Sequence, residues 1–390
     1  MKLTVQNTDL QTILAAAAAV TRSPDPIKII AERIGDAPDD DKDYEERPAE
    51  AGQIRIIAFN DTMVIEWTRP AEIKMSGSVA IHPDGLTRLV KASRNSDSTF
   101  VLETIATDNE RSLRLNTARS AHEFPAVSDA VFDTIVPGRA NAERANLSNL
   151  SNAISTAKIA AAARGDASGG RVMLTGAHLR QRDDTLDVVG TDGRRMSVIT
   201  LRMSDLGGLD LGDADAGVTL PPEALPMVTE MLSAPSACLK VFGNNVVVET
   251  ADGSLSVRVI DAPYPDYSVL LGVNTDKTLV LPKSSLEIAL QRSSVALVRD
   301  KRSVAVKLSR GADGVYVTSS AAGQSSSECV HDTPGDEASI GFDAQYMLSA
   351  IGVFGQGDVD LAFGTEQVPI RITSQQHPEI QMLVMPCKTS

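Results

Sequence analysis

Adjacent guanidinium groups can hold a phosphate, so the stretch DGRR at residues 192–195 is the first candidate for chemistry. Alternating β-branched residues on both sides place it in the turn of a hairpin. Such a turn lacks the helix N-terminus that commonly completes a phosphate site. The chain also lacks the patterns GxxxxGKS/T, HExxH and GxSxG. We therefore expect no catalytic site and no hydrolase or polymerase turnover by the isolated chain.

The cysteines and histidines indicate no metal or redox chemistry. Cys238, Cys329 and Cys387 are odd in number, far apart and without CxxC spacing, which favours a reducing compartment and excludes a disulfide framework. None of the five histidines has metal-ligand or triad spacing. No run of 18 apolar residues and no basic-then-apolar leader occurs. We predict no cofactor, no metal, no membrane contact and a cytoplasmic location.

Positive charge is local in a chain whose net charge is −14. Residues 35–52 alone hold eight acidic and two basic residues, and 204–217 adds four acids, so both stretches read as solvated loops. Some predicted helices are locally basic. The residues concerned are Arg88, Lys91 and Arg94, which share one helical face, with Arg292, Lys158, Arg164 and Arg22.

These basic positions have two interpretations of about equal weight. They could contact DNA phosphates without reading sequence, since no helix-turn-helix or zinc-finger pattern accompanies them. Alternatively, they are solvated helix faces. Two predicted helices, 222–232 and 343–354, carry no base at all, which weakens the electrostatic case.

One pattern of elements occurs three times. Each copy has a helix, a strand pair around a turn, a strand that runs into a second helix, and closing strands that end in an aromatic residue or His followed by Pro. The turns are predicted at Asn60-Asp61, Asp192-Gly193 and Asp313-Gly314, and the second helices begin near Pro83, Pro222 and Asp343.

Three copies in the same order are hard to attribute to chance, and a length of 390 residues fits two to three domains. We therefore predict an α+β fold of three repeated domains, each with two helices and antiparallel strands joined by short turns. The domains are 1–130, which carries the acidic insertion 35–52, then 131–272 and 273–390.

Four segments together resemble the β sliding clamp, the processivity subunit of bacterial DNA polymerase III. They are VVGTDGRRMSV at 188–198, RVIDAPYPDYSVLL at 258–271, IGFDAQYML at 340–348 and LVMPCK at 383–388. The resemblance runs the whole length in order and includes the threefold repeat. It implies a homodimeric ring of two head-to-tail chains that encircles double-stranded DNA, with helices lining the hole.

The resemblance also implies a pocket for a short peptide motif of the polymerase III alpha subunit, the clamp loader, other polymerases and repair proteins. An apolar cleft of Leu, Met and Pro suits Leu and Phe side chains, and Met adapts to several partners. The deep part would use Leu174, Thr191, Gly193, Arg195, Met196, Leu270, Leu383, Met385 and Pro386. The shallower part would use Pro265, Asp343, Tyr346 and Cys387.

Three positions depart from the family pattern: Arg194 where His is frequent, Val269 where an Arg usually rims the pocket, and Cys387 where Met is usual. We expect peptide binding to persist with altered preference. Candidates for the dimer contact are Leu113, Leu115, Val295 and Leu297. A divergent clamp paralogue without a main replication role is the alternative, and loading by the cognate clamp loader separates the two.

Overall fold

The structure is a computed structural model that describes most of the chain. It covers residues 1–22, 25–34, 49–93, 98–107, 110–117, 119–135, 137–163, 170–212, 217–297, 304–321 and 324–389. Most of the predicted acidic insertion 35–52 lies outside these residues, as do Arg94 and Arg164.

Seven α-helices lie in the described residues. They are α1 Asn7–Val20, α2 Pro83–Ala92, α3 Ser148–Ala160, α4 Leu225–Leu232, α5 Ser268–Leu271, α6 Lys283–Leu297 and α7 Ala344–Ile351. Pro83 occupies the first turn of α2, where a missing N–H costs nothing. Asp343 caps α7 by accepting hydrogen bonds from the N–H groups of Gln345 and Tyr346. Pro222 precedes its helix by three residues, since α4 begins at Leu225.

Twenty-four strands accompany these helices in the described part of the chain. The first eight are β1 Lys2–Gln6, β2 Ile27–Arg33, β3 Glu50–Phe59, β4 Met63–Met75, β5 Gly77–Ile81, β6 Thr99–Thr107, β7 Glu110–Asn116 and β8 Ala121–Pro125. The next eight are β9 Ala177–Arg182, β10 Thr185–Thr191, β11 Arg195–Arg202, β12 Leu209–Asp210, β13 Val218–Leu220, β14 Ala237–Phe242, β15 Asn245–Thr250 and β16 Gly253–Arg258. The last eight are β17 Lys277–Pro282, β18 Ala305–Gly311, β19 Gly314–Ala321, β20 Gln324–His331, β21 Ala338–Asp343, β22 Asp358–Phe363, β23 Ile370–Thr373 and β24 Ile380–Val384.

The chain divides into two compact units. Unit 1 comprises 1–147, 207–212 and 226–259, and unit 2 comprises 148–206, 213–225 and 260–390. The elements of the middle predicted repeat are shared between them, because α3 and β9–β11 belong to unit 2 whereas β14–β16 belong to unit 1.

Unit 1 contains one twelve-stranded sheet on which α1 packs. Its main path runs β12-β14-β15-β16-β4-β1-β6-β7-β8, with β2, β3 and β5 attached beside β4. Leu10, Ile13 and Leu14 of α1 are buried against strands β3 and β4. The short β12 is parallel to β14, whereas the other pairings in this sheet are antiparallel as expected.

Unit 2 contains two sheets. The first has the order β13-β9-β10-β11-β24-β23-β22-β17 and the second β20-β19-β18-β21. Helix α3 packs on β10 and β11, where Gly190 permits the close approach: a Cβ on this glycine would stand 1.9 Å from the carbonyl oxygen of Ala157. Helix α6 packs on β19 and β20.

The predicted α+β class with antiparallel sheets is confirmed, and each predicted repeat has its two helices, to which the second repeat adds the four-residue α5. One alignment between repeats was wrong. Three four-stranded orders correspond, namely β5-β2-β3-β4, β13-β9-β10-β11 and β21-β18-β19-β20. In this order the turn at Asp313-Gly314 joins the second and third strands, whereas those at Asn60-Asp61 and Asp192-Gly193 join the third and fourth. The alignment was wrong because similar turn residues occur at two successive hairpins of a repeat.

Candidate functional site

A tight turn between β10 and β11 in unit 2 forms one wall of the candidate site. Asp192 accepts hydrogen bonds at its Oδ1 from the backbone N–H groups of Arg194 and Arg195, at 2.8 and 2.9 Å. Gly193 has φ +85°, a conformation that favours glycine. The Thr191 hydroxyl donates to the carbonyl of Arg195 at 2.7 Å. These local hydrogen bonds hold the turn in one conformation, so the backbone that carries both arginine side chains is rigid.

The C-terminal strand β24 supplies the second wall. It pairs with β11, with Met196 opposite Leu383, and the N–H of Met385 donates to the carbonyl of Arg194 at 2.8 Å. This bond carries the chain past the end of β24 and places Met385 beside the turn. Pro369, immediately before β23, is brought to the same place because Ile370 pairs with Val384.

A buried cluster around Tyr267 forms the floor of the site. Met196, Val198 and Leu383 pack with the Tyr267 ring, and Leu270 covers this cluster from α5. The Tyr267 hydroxyl donates to Asp187 at 2.9 Å, so the ring's polar end is also satisfied. Tyr267 is anchored and directly precedes α5. The position of Leu270 on that helix is therefore fixed.

These three elements enclose a small, mainly apolar cavity with about 50 Å³ of free volume. Its lining comprises Thr191, Gly193, Arg194, Arg195, Met196, Leu270, Pro369, Leu383 and Met385. Such a cavity can accept an apolar side chain, with the arginines and the threonine available for orienting contacts. Its free volume is of the order of one or two water molecules, so a larger side chain requires the flexible Met385 and Arg194 to move.

Residues of α7 adjoin the cavity through Arg195. The Arg195 guanidinium lies 5.0 Å from the ring centre of Tyr346, and it also donates to Ser349. Its Nε donates to Asp192 at 3.1 Å. A hydrogen bond with Tyr346 raises the pKa of Arg194. The predicted shallower residue Tyr346 therefore stands next to the cavity, without lining it.

Asp343 and Cys387 lie close to one another beside this region. The N–H of Cys387 donates to Gly341 at 2.9 Å, and Pro386 is bridged to Phe342. Burial, followed by the nearby Asp343 charge, raises the pKa of the Cys387 thiol. The C-terminal segment is thus held along β21, and the Cys387 side chain is half-buried there.

Besides Tyr346, Asp343 and Cys387, four further predicted pocket residues do not line the cavity. Leu174 is buried in a 3₁₀ turn that follows α3, and Pro265 is exposed. Val269 is 68% exposed, because it neighbours Leu270 on α5 and projects away from the cluster. Pro386 follows Met385 and forms a β-bridge with Phe342 of β21. Pro369, by contrast, lines the cavity although nothing in its sequence surroundings marks it.

The basic residues that were candidates for DNA contact lie on exposed surfaces where they are described. Arg88 and Lys91 lie on the face of α2 opposite its buried Leu86 and Val90, and Lys158 is exposed on α3. Arg22 is exposed just after α1. The charge of Arg292 is partly neutralised, since its Nη1 lies 3.4 Å from Glu328.

Leu113 and Leu115, the candidates for the dimer contact in the first repeat, lie in the core of unit 1. Both side chains are fully buried there, with 0% exposure. Alternation along a strand marks the apolar face, but not whether that face meets the chain's own core or a partner. Val295 and Leu297 belong to α6, and their side chains lie outside the described residues.

Over the described ranges, no group of three or more His, Cys, Asp or Glu side chains could hold a metal ion. Every helix in the part of the chain that the structure describes is too short or too polar to cross a membrane.

Curated relatives match over much or all of the chain. A Synechocystis sp. protein described as a beta sliding clamp is 22% identical over 413 residues, 100% of this chain and 99% of that protein. A Staphylococcus aureus beta sliding clamp is 24% identical over 224 residues, 56% of this chain and 58% of that protein.

Solved structures share the fold. Caulobacter crescentus pol III beta superposes with a TM-score of 0.81 at 20% identity, over 100% of both chains. A Helicobacter pylori beta clamp bound to a DNA ligase peptide gives a TM-score of 0.79 at 19% identity, also over 100% of both chains.

Two family models match adjoining segments that together exceed half of the chain. The central domain of the DNA polymerase III beta subunit matches residues 144–266, and its C-terminal domain matches residues 269–388. Together with relatives that span the full length, these matches identify the family. The chain belongs to the DNA polymerase III beta subunits, the bacterial beta sliding clamps.

Proposed function

We propose that the chain encircles duplex DNA as a head-to-tail homodimer and confers processivity on the replicative polymerase. The observation that carries this proposal is the match to the central and C-terminal beta subunit domains over residues 144–388. We assign the chain no catalytic site of its own and a cytoplasmic location. The three-domain division at 1–130, 131–272 and 273–390 is part of the proposal.

The charge distribution of the chain is compatible with a ring that stays on DNA by enclosing it. The exposed bases on α2 and α3 are few, and the net charge of −14 disfavours tight binding of DNA to most of the surface. A closed ring needs only weak, sequence-independent phosphate contacts, since tight ones would impede sliding. Arg22, Arg88, Lys91 and Lys158 are the described candidates for these contacts, and Arg292 is a weaker one because of Glu328.

The cavity in unit 2 is the proposed docking site for peptide motifs of the polymerase III alpha subunit, the clamp loader, other polymerases and repair proteins. Its apolar lining of Met196, Leu270, Leu383 and Met385 suits Leu or Phe side chains. A related clamp bound to a DNA ligase peptide supports this mode of binding. We propose Arg194, Arg195 and Thr191 as the orienting polar groups, with Tyr346, Asp343 and Cys387 flanking them.

The decisive experiment is a single-turnover extension assay on a primed circle with the cognate polymerase and loader. We expect the chain to lengthen the DNA made per polymerase binding event severalfold, because the polymerase stays tethered. A matched reaction without loader controls for direct stimulation. Unchanged product length, with the loader shown to be active on another clamp, would contradict the replication role and favour a divergent paralogue.

A further inference from the structure

The lining of the cavity in unit 2 contains few polar groups, and most of them are already bonded within the chain. The Thr191 hydroxyl donates to the carbonyl of Arg195 and accepts from the N–H of Gly193 at 3.1 Å. Arg195 donates from Nε to Asp192 and from Nη1 to Ser349. These groups therefore have little hydrogen-bonding capacity left for a ligand.

Arg194 differs from these groups, because most of its donors are free. It is exposed, it lines the cavity, and no carboxylate of the described residues lies within ion-pair distance of it. A guanidinium has five N–H donors, so the hydrogen bond with Tyr346 uses only a part of them. Asp192 and Asp343 lie nearby, but their carboxylates accept hydrogen bonds from backbone N–H groups. Arg194 is therefore a cation at the rim of the cavity that is available to a ligand.

The opposite rim, on α5, is apolar. This helix has the sequence SVLL, in which Leu270 lines the cavity and Val269 is 68% exposed. Val269 stands where the family usually has an arginine. In the described lining, positive charge therefore comes from the turn between β10 and β11, and the side formed by α5 carries none.

We propose that Arg194 makes the cavity selective for partner peptides in which a carboxylate stands next to the apolar side chain that enters it. The inference rests on the peptide docking of the proposed function, and it adds the residue that selects and the charge that it selects. A planar guanidinium matches a carboxylate through two parallel hydrogen bonds, which a neutral amide does not reproduce. The carboxylate can belong to an Asp or Glu side chain or to the free C-terminus of the partner.

The small size of the cavity strengthens this preference. The free volume is about 50 Å³, so Arg194 has to move when an apolar side chain enters. A carboxylate beside that side chain gives the displaced guanidinium a partner, and the bound peptide partly shields the pair from water, which strengthens their attraction. A peptide without a carboxylate leaves the same guanidinium to the solvent alone.

The side chain of Arg194 can be changed without disturbing the turn. The N–H of Arg194 donates to Asp192, and its carbonyl accepts from Met385, so both bonds involve backbone atoms of residue 194. Arg194→Gln and Arg194→Lys keep these atoms. A change in peptide preference in either variant is therefore attributable to the side chain.

The experiment compares fluorescent peptides that share a Leu-Phe core and differ in one group. Two of them carry an Asp, directly before or directly after the core, with an amidated C-terminus. A third has Asn in place of Asp and is also amidated, and a fourth ends in a free carboxylate directly after the Phe. Fluorescence anisotropy with the full chain gives each dissociation constant.

We expect at least one carboxylate peptide to bind the wild type about fivefold more tightly than the amidated Asn peptide, as for a well-placed ion pair near a surface. The ratio should fall when the salt concentration rises from about 0.05 M to about 0.5 M, because the charges are then screened. Tighter binding of the Asp peptides alone identifies an acidic side chain as the selected group. Tighter binding of the free-ended peptide alone identifies the partner's C-terminus.

The variants assign the preference to Arg194. Arg194→Gln should reduce the ratio to less than about 1.5, and Arg194→Lys should keep about a twofold ratio, because an ammonium is a point charge without the planar pair of donors. Arg202→Gln removes an exposed arginine at the far end of the same strand and is the matched control for net charge. It should leave the ratio at the wild-type value.

The outcomes separate this inference from the proposed function. Equal binding of all four peptides to the wild type would overturn the selectivity, and the docking site would stand. A preference that persists in Arg194→Gln would overturn the role of Arg194. If the folded wild type bound none of the peptides, the result would count against the docking site of the proposed function itself.

Discussion

The hydroxyl of Tyr267 donates a hydrogen bond to Oδ2 of Asp187 at 2.9 Å, with both residues buried. Asp187 also accepts from Thr200 at 2.8 Å and lies 3.4 Å from Nε of Arg182. The guanidinium of Arg182 in turn lies 4.8 Å from the Tyr267 ring centre. This network ties the segment before α5, and hence Leu270, to the strand that leads into the turn at Asp192.

Removing the Tyr267 hydroxyl should destabilise unit 2. In Tyr267→Phe, Asp187 loses one of its donors in a buried setting, which costs about 1 to 3 kcal/mol of unfolding free energy. Urea unfolding followed by circular dichroism measures the loss. Tyr316→Phe, which removes a hydroxyl bonded to the carbonyl of Asp313 at an exposed site, is the control with an expected change below about 0.5 kcal/mol. Equal losses in the two variants would contradict the network.

His178 should make stability depend on pH. Its ring stacks on Tyr264 at 4.1 Å and bonds to Thr219, and burial, helped by Arg180, lowers its pKa to about 4. Because the folded pKa lies below the unfolded value of about 6.5, the stability is complete above pH 6.5 and falls as pH drops towards 4. The loss approaches about 3 kcal/mol at full protonation.

The measurement compares unfolding free energy at pH 7.5, 6, 5 and 4.5 for the wild type and His178→Gln. Carboxylates titrate in both proteins, so the difference between the two curves isolates the imidazole. The variant's free energy should fall less steeply between pH 6.5 and 4.5. Parallel curves would show that His178 protonates without cost.

Gly190 should not tolerate a side chain. A Cβ there would stand 1.9 Å from the carbonyl oxygen of Ala157 and 2.7 Å from its carbonyl carbon, so α3 would have to move away from β10. Gly190→Ala should cost about 2 kcal/mol or more through lost helix packing. Gly311→Ala is the matched control, since nothing lies within 4 Å of its added Cβ. Thermal unfolding of both variants measures the effect, and similar melting temperatures would refute the close contact.

Local chemistry made part of this molecule predictable from sequence. Asp343 and Pro83 stand at helix starts, and Asn60 and Asp192 stand in turns where their side chains accept backbone hydrogen bonds. Such signals depend on a few neighbouring residues, so the sequence carries them directly.

Long-range relations were not predictable in the same way. Pro369 reaches the cavity only because Ile370 pairs with Val384, a relation that no spacing reveals. Val269 and Leu270 are adjacent apolar residues, and the orientation of a four-residue helix decides that Leu270 faces the cavity. The burial of Leu113 and Leu115 likewise depends on which layer covers their strand.

Truncating Met385 tests the cavity as a peptide site. Met385→Ala should weaken binding of a Leu/Phe-containing partner peptide about tenfold or more, because the cavity loses one flexible apolar wall. The fold should be retained, since Met385 is only half-buried. Fluorescence anisotropy of a labelled peptide gives the dissociation constant. Val280→Ala, at a 56% exposed position on β17, is the control. A Met385→Ala protein that is folded and binds normally would place the peptide elsewhere.

Val269 allows a finer test of the same cavity. It is 68% exposed and does not line the cavity, whereas its neighbour Leu270 does. Leu270→Ala should therefore weaken the peptide about tenfold and Val269→Ala less than about twofold, in the same anisotropy assay. The reverse ranking would mean that the peptide extends over the exposed face of α5.

Enclosure and electrostatic attachment to DNA can be separated by removing charge from α2. Arg88→Ala with Lys91→Ala deletes two exposed cations on one helical face, so direct binding of unloaded protein to DNA should lose a salt-dependence slope of up to about 2. The retention half-life on a sealed circle after loading should change less than about twofold, since a ring cannot leave without opening. Linearising the circle should release wild type and variant alike within the time needed to slide off. Arg202→Ala with Arg258→Ala, two exposed cations on strands, is the control. Rapid loss of the variant from sealed circles would show that phosphate contacts, and not enclosure, hold the protein on DNA.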